Sequence, residues 1–376
     1  MTVKRVVCAM LGAVAVVIAA CGGSAPATSG SDTPAQESAS AAAKPLSMST
    51  VILTANFNST LELYYIADAE GFFKQQGLTD MRQEGFGTQG ADQIALLLGG
   101  HAQFINIGTS LLMNAAASGS PIVSVMNVAH SGSVAVVLNP KIAADKHIPT
   151  ANKSAADAIA QVKALKGTKL KIGTPSATGD NFSDAATVFK ANGLTLGPDG
   201  DVDLQALGGT SNMLAGYKAG KIDGYVLTAP QTFVADAVTI PLYLVPPLAG
   251  TAFVQLATTK DMIQNHADVV QAVVNSYLRA AQFATKNPAK SLADVKPLYE
   301  AAGVKDEATQ KQVFDQTASE LGTPANTRAM FDEALALAGY TAKSPLKLDF
   351  TAFVDNRFVN AGIKSLGLPY APGPEK

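Results

Sequence analysis

The chain has 376 residues, 47% of them hydrophobic, and a formal net charge of -2, so it can bury a sizeable core and has the length for two lobes. Near-neutral charge without clustered Lys or Arg excludes a dedicated nucleic-acid surface, and the absence of Trp with a 6% aromatic share removes a base-stacking platform. Its only two cysteines, Cys8 and Cys21, lie at the front of the chain; a body without cysteine has neither a disulfide nor a thiol nucleophile.

The first residues read as an address. Lys4 and Arg5 form a basic n-region and Val6 to Ala20 an apolar run, the layout of a signal-peptide core. The run is shorter than the roughly 20 apolar residues a membrane span needs. It ends Ile18-Ala19-Ala20-Cys21-Gly22, which resembles the bacterial lipoprotein signal, where the cysteine is acylated; the alternative is a plain secretory signal with an incidental cysteine. Residues 1–20 are therefore expected to be a lipoprotein signal peptide. Residues 21–44 are built from Gly, Ala, Ser, Thr and Pro with almost no large apolar side chain. Such a stretch cannot bury enough surface to offset chain entropy and is expected to be a disordered tether.

Ser49 to Ala55 reads as a buried strand, and Asn58, Ser59 or Thr60 can cap a helix over Leu61 to Glu70. Asp80 to Gly85 is a second strand, polar enough for a sheet edge. Gln83 to Ala117 then runs from a Gly-rich turn into an apolar helix, a Gly99-Gly100 stop, a short strand and a second helix from Gly108-Thr109-Ser110. Strands are expected over Pro121 to Ala129 and Ser133 to Leu138. A further unit follows: a helix over Ser154 to Lys163, a strand over Leu170 to Gly173, a polar loop and a helix over Phe182 to Ala191. Then come a strand over Val202 to Leu207, a helix over Asn212 to Lys218 and a strand over Ile222 to Leu227. After a strand at Ala252 to Thr258, the remaining third is mostly helical, with Val269, Val273 and Tyr277 at helical spacing. Alternating strands and helices predict an α/β body with mainly parallel sheet.

Gly85, Gly87 and Gly90 spell G-x-G-x-x-G, the dinucleotide fingerprint, which also requires an acidic residue about 20 positions on for the ribose. After Asp92 no acidic residue occurs until Asp145. The glycines are read instead as a turn that frees a helix N-terminus, and no cofactor is expected. The stretch also has an echo. Gly87 to Ala117 and Leu207 to Ala237 share the expected order Gly-rich loop, helix, small-residue stop, strand, polar loop, helix, with glycine spacings that agree within about a residue. Both would place helix N-termini beside strand carboxyl ends, where open sheets bind ligands.

Several segments carry a family resemblance. They are Tyr65-Ile66-Ala67-Asp68-Ala69-Glu70-Gly71-Phe72-Phe73, Gly90 through Gly100, Leu165 through Gly173 and Ala219-Gly220-Lys221-Ile222-Asp223. In their order and spacing the body resembles the solute-binding proteins of nitrate/sulfonate/taurine-type and thiamine-pyrimidine-precursor ABC importers. The resemblance implies a two-lobed type II periplasmic-binding-protein fold with two hinge strands, lobe one over residues 45–129 and 251–370 and lobe two over residues 130–250. It implies a monomer that captures a small polar, anionic or aromatic solute and delivers it to ABC permease subunits; with the acylated Cys21 expected above, it would be held by a lipid anchor on the periplasmic or extracellular face of the membrane.

The resemblance also places ligand contacts on the loops at the strand ends. These are Asn56, Phe57 and Asn58, then Gln89 and Gly90, Thr109 and Ser110, His130 and Ser131, Ser176, Thr178, Asp180 and Asn181, and Thr228 with Gln231. Asp180 or Asn181 would also cap the helix that follows, and for His130 a structural hydrogen bond is the equal alternative. No Arg lies in these loops, Arg82 being the nearest, which argues for hydrogen bonding and helix dipoles rather than a salt bridge. Phe57, Phe86 and Phe182 are available to sandwich a ring. His101, His147 and His266 show no metal-ligand spacing, and no G-x-S-x-G elbow is present. No metal and no catalytic residue is expected. Two rivals stay open: an enzyme of the same fold acting on a thiamine-pyrimidine precursor, and a ligand sensor for a membrane kinase.

Overall fold

The structure, a computed structural model, describes residues 45–375 apart from 56–60, 85–89, 130–133, 151–154, 178–179, 230–231, 233–236, 243–253, 320 and 339–345. The expected signal peptide, Cys21 and the expected tether therefore lie outside the described residues.

The first stretch of chain gives β1 (Thr50–Ala55), α1 (Glu62–Ala69), α2 (Phe72–Gln75), β2 (Asp80–Glu84), α3 (Gly90–Leu98), β3 (Phe104–Gly108), α4 (Thr109–Ala117) and β4 (Ile122–Ala129). The second gives β5 (Ala135–Leu138), α5 (Pro140–Asp145), α6 (Ala155–Ala164), β6 (Leu170–Thr174), α7 (Asp180–Ala191), β7 (Val202–Ala206), α8 (Thr210–Lys218), β8 (Gly224–Leu227) and β9 (Val238–Pro241). The last contains β10 (Val254–Thr259), α9 (Lys260–Asn265), α10 (Ala267–Lys286), α11 (Pro288–Ala301), α12 (Glu307–Ser319), α13 (Arg328–Ala338), α14 (Phe350–Phe353) and α15 (Arg357–Leu366).

These strands make two five-stranded sheets, ordered β2-β1-β3-β10-β4 and β7-β6-β8-β5-β9. Within each, three strands run parallel in the order second-first-third (β2-β1-β3 and β7-β6-β8), and an antiparallel strand follows on the far side. The sequence echo is thus an echo of topology. The chain passes from the first sheet to the second between Ala129 and Val134 and returns between Leu242 and Val254. β4, which leaves, and β10, which returns, are neighbours in the first sheet and pair antiparallel. The fold is the two-lobed type II arrangement, mixed α/β throughout.

Burial explains which segments became which elements. β4 reads IVSVMNVA and is buried along all but its last residue, as a nearly continuous apolar run should be. β2 reads DMRQE, alternates between exposed and half-buried positions and lies at the sheet edge, as its polarity predicts. The first sheet is covered on one face by α1, α2, α10 and α15 through Tyr64, Phe73, Tyr277 and Val359, and on the other by α4, α13 and α14 through Leu112, Phe331 and Phe353. The second sheet has α6 and α7 on one face, with Val162 and Phe189 buried, and α8 on the other, with Met213 against Tyr225.

The sheets are not mainly parallel as expected, since half of the strand pairings in each are antiparallel, through the crossing strands β10 and β5; the other differences from the sequence reading fall at element starts and short elements. α7 begins at Asp180, two residues before the expected start, so Asp180 and Asn181 lie in its first turn instead of capping it. α8 likewise begins at Thr210, not Asn212. α2, α5, β9, α9 and α11 are additional. β9 is four residues next to Pro241, too short to show a period. α11 starts with Pro288 at its first turn and continues through Pro297, a residue that reads as a helix breaker unless its neighbours bury the helix.

Candidate functional site

In an open α/β sheet, ligands bind outside the carboxyl ends of the strands where strand order reverses. That place lies between β1 and β3 in the first sheet and between β6 and β8 in the second. The residues leaving β3 are Thr109 and Ser110, and Gly108 ends the strand in extended backbone (φ -59°, ψ 136°) so that α4 starts at once. Those leaving β6 are Pro175 and Ser176, and those leaving β8 are Thr228 and Ala229. Gly90 opens α3 and is buried. The expected positions Gly90, Thr109, Ser110, Ser176, Asn181 and Thr228 therefore all stand at strand carboxyl ends or helix starts on these edges. Asn56, Phe57, Asn58, Phe86, Gln89, His130, Ser131, Thr178 and Gln231 lie outside the described residues, as does the side chain of Asp180.

Two of these helix starts belong to packed elements. α7, from the second sheet's half, packs against α4 and α13 of the first. The helix carrying Asn181 thus meets the helix carrying Thr109 and Ser110. β6 and β8 pair directly, with Gly173 opposite Tyr225, which makes the ends bearing Ser176 and Thr228 adjacent. Gly173 lets side chains close over this pairing: a Cβ there would stand 2.5 Å from Ile222 Cδ1 and 3.0 Å from Met213 Cγ, so a larger residue would make those side chains shift.

The chemistry at these positions is neutral. Thr109 is buried and its Oγ1 accepts a hydrogen bond from Gln255 Nε2 at 3.3 Å. Asn181 is half-buried, and its Oδ1 is buried with no hydrogen-bond partner among the described residues. Behind it on α7, Ser183, Asp184 and Thr187 are buried polar residues. Ser110 and Thr228 are half-buried, and Ser110 O accepts from Asn114 Nδ2 at 2.8 Å. Phe182 is half-buried. Arg82, the nearest arginine by sequence, points its guanidinium at Asp80, with Nε to Oδ1 at 2.7 Å, and this contact pulls the Asp80 carboxyl below its ordinary range. It is committed to the edge of the sheet. His101 and His147 are exposed, and His266 Nδ1 lies 2.9 Å from Ser47 Oγ at the start of α10. Among the described residues, no three His, Cys, Asp or Glu side chains gather as a metal site would need.

Sequence reasoning missed Gln255, which bonds Thr109, and Asn127, which bonds Gln255, both in strands read simply as apolar. A polar residue amid the apolar runs PIVSVMNVA and FVQLA was the available signal, since a buried amide must find partners.

The model of the NMT1-like family matches residues 48–295. The chain belongs to the NMT1-like family. The match spans the first sheet, the second sheet and the return through β10 into α11, so it takes in every strand-end position discussed above. Among solved structures, this NMT1-like chain superposes on a Bordetella bronchiseptica RB50 protein with a TM-score of 0.69 at 18% identity, covering 86% of this chain and 100% of the other. The periplasmic nitrate-binding protein NrtA of Synechocystis gives a TM-score of 0.63 at 13% identity, covering 87% and 91%. The alkanesulfonate-binding protein SsuA of Xanthomonas axonopodis, bound to MOPS, gives 0.58 at 16% identity, covering 81% and 97%. Such identities establish a shared fold. Comparison with curated protein sequences found no match.

Proposed function

We propose that this protein is an extracytoplasmic solute-binding lipoprotein that captures a small molecule between its lobes and delivers it to an ABC permease. The observation that carries the reading is the duplicated strand order: two sheets, each with a reversal point, and neutral hydrogen-bonding residues at both. Lobe one would comprise residues 45–129 and 251–370 and lobe two residues 130–250, with closure by rotation about the β4 and β10 connections. Among solved structures of the same fold are a ligand-binding component of an ABC-type import system from Staphylococcus aureus and periplasmic nitrate- and aliphatic sulphonate-binding proteins, which supports the role without fixing the solute.

The ligand chemistry follows from the two best-placed groups. The Gln255 bond occupies an acceptor lone pair of Thr109 and leaves its hydroxyl hydrogen to donate. Asn181 Oδ1 is an acceptor. A polar solute with at least one acceptor oxygen and one donor fits both, and the starts of α4 and α7 favour a partial negative charge.

A thermal-shift screen with nitrate, alkanesulfonates, pyrimidines and aromatic carboxylates tests this. A specific binder at 100 times its dissociation constant should add about 2.7 kcal/mol of stability. Flat melting curves across all four classes would remove the solute-capture reading, and turnover of a bound compound would replace it with an enzyme. Membrane fractionation of Cys21→Ser tests the anchor: the variant should be released, and unchanged membrane association would rule out acylation there.

A further inference from the structure

Gln255 lies on β10, the strand by which the chain returns from the second sheet, and it is fully buried. A glutamine amide offers two donor hydrogens and two acceptor lone pairs, and here all four are used. Nε2 donates to Thr109 Oγ1 at 3.3 Å and to Asn127 Oδ1 at 3.4 Å. Oε1 accepts from Ser124 Oγ and from Asn326 Nδ2, the latter at 3.0 Å. One side chain thus joins the start of α4, the outgoing strand β4 and the loop before α13.

This convergence depends on an irregular ladder. Ser124 and Asn127 are three apart, and in a regular strand an odd separation places side chains on opposite faces. The β4–β10 register slips between Leu256 and Ala257, so that Ala257 pairs with Ser124 while Leu256 pairs with Met126. Val125 is left as the extra residue, and Ser124 and Asn127 return to the face that bears Gln255. A second slip, between Val254 and Gln255, falls at Gln255 itself. Bulges re-aim side chains in this way and recur beside functional sites.

The partners connect outward. Asn326 Nδ2 also donates to Ser124 Oγ at 3.1 Å, and its backbone N–H and C=O form a reciprocal pair with the Asn356 amide at 3.0 and 2.8 Å. The elements held by this network, α4 and α13, both pack against α7 from the second sheet's half.

We propose that Gln255 is a positioning residue for solute capture: from the return strand it holds Thr109, with its hydroxyl hydrogen free to donate, at the start of α4, and sets α4 and α13 as one face for α7. The bearing on capture rests on the solute-binding reading, but the positioning is measurable with no ligand.

Hydrogen–deuterium exchange on the full chain tests it, with α10 as internal reference. Gln255→Glu keeps the acceptor oxygen and replaces the two amide donors with at most one acid O–H, which cannot serve both Thr109 and Asn127. It should raise exchange of the α4 peptide by about tenfold while the 322–328 loop stays protected. Gln255→Met should release both segments. Thr109→Val should release α4 alone, Thr109→Ser should restore it, and Thr109→Val should add nothing in the Gln255→Met background. Equal acceleration of α4, the loop and α10 would reduce Gln255 to a generic core residue and overturn the proposal, as would unchanged α4 exchange in Gln255→Glu. If Gln255→Met does not fold, the Thr109 pair and Gln255→Glu still decide. Failure of every solute to bind would leave these readouts intact, so the two readings fail separately.

Discussion

Tyr299 donates a 2.6 Å hydrogen bond to Glu62 Oε1 in the interior of the first lobe, where the carboxyl has no cationic partner among the described residues. Thr317 Oγ1 donates to the other oxygen, also at 2.6 Å. The two hydroxyls favour the carboxylate, but burial outweighs them and pushes the Glu62 pKa up to about 8. Burial likewise pushes the Tyr299 phenol up. The site accommodates a neutral acid, because Thr317 Oγ1 also lies 3.1 Å from Val313 O and Phe314 O and can turn its hydrogen there while accepting from a protonated Glu62.

The consequence is a stability that falls as pH rises. Between the unfolded value near 4.5 and the folded value near 8, the native state binds the extra proton, so unfolding releases it and high pH favours unfolding. Below that window the burial is free of charge cost; across it the slope should approach about 1.4 kcal/mol per pH unit at most. Glu62→Gln should remove this slope. Urea titrations at pH 5, 6, 7 and 8 measure it, and parallel pH profiles for the two proteins would contradict the assignment.

Gly224→Ala tests how tightly the second sheet is closed. A Cβ at Gly224 would stand 2.6 Å from Val137 O, a backbone atom of the β5–β8 ladder, where Leu138 pairs with Gly224. Backbone cannot yield as a side-chain tip can, so the substitution should cost about 1–3 kcal/mol. It should appear as a lower urea midpoint with little change in slope. Gly220→Ala is a useful contrast, because its Cβ meets nothing within 4 Å and only its φ of +67° opposes the change, which costs about 1 kcal/mol.

What could be read from residues alone follows from how each element is stabilised. β1 and β4 carry long apolar runs and were legible within two residues, and α10 was legible from its helical period, because their burial is written in side-chain type. β2 was legible as an edge from its polarity. β9 and α5 were not, since each is a few residues long and exists because a neighbour pairs with or covers it. The site was legible as a set of edges, since Gly-rich loops and polar strand ends mark where helices start. The support beneath it was not, because the union of Ser124, Asn127 and Gln255 arises from a register slip that no sequence period records.

Asn181 gives a prediction about the solute itself. Its Oδ1 at the start of α7, without a hydrogen-bond partner among the described residues, can accept from a ligand donor. Asn181→Ala should weaken binding of the solute identified by screening about tenfold, the worth of one buried hydrogen bond. Asn181→Asp separates the charge classes. A carboxylate there would repel an anion, so an anionic ligand should lose more affinity with Asp than with Ala, while a cationic one should regain it. Calorimetric titration of both variants reads the order directly, and wild-type affinity in Asn181→Ala would remove this residue from the site.

Asn356 closes the chain end onto the hinge network, and its substitution reports how far that network carries stability. It is buried; its Oδ1 accepts from Asn326 N, and its Nδ2 donates to Asn326 O and to Pro374 O at 3.0 Å. Beside it, Asn360 exchanges two hydrogen bonds with Gly373. Gly373 is confined to glycine by proximity, since a Cβ would stand 2.5 Å from Asn356 Nδ2. Asn356→Ala leaves a buried N–H and two carbonyls without those partners and should cost about 2–4 kcal/mol. Deleting residues 371–376 removes only the tail bonds, leaves the Asn326 pair intact and should cost about 1 kcal/mol. Chemical denaturation of the two proteins gives the comparison. Equal losses would mean that the tail, rather than the Asn326–Asn356 pair, holds this corner, and the pair would then be no part of what fixes the loop before α13.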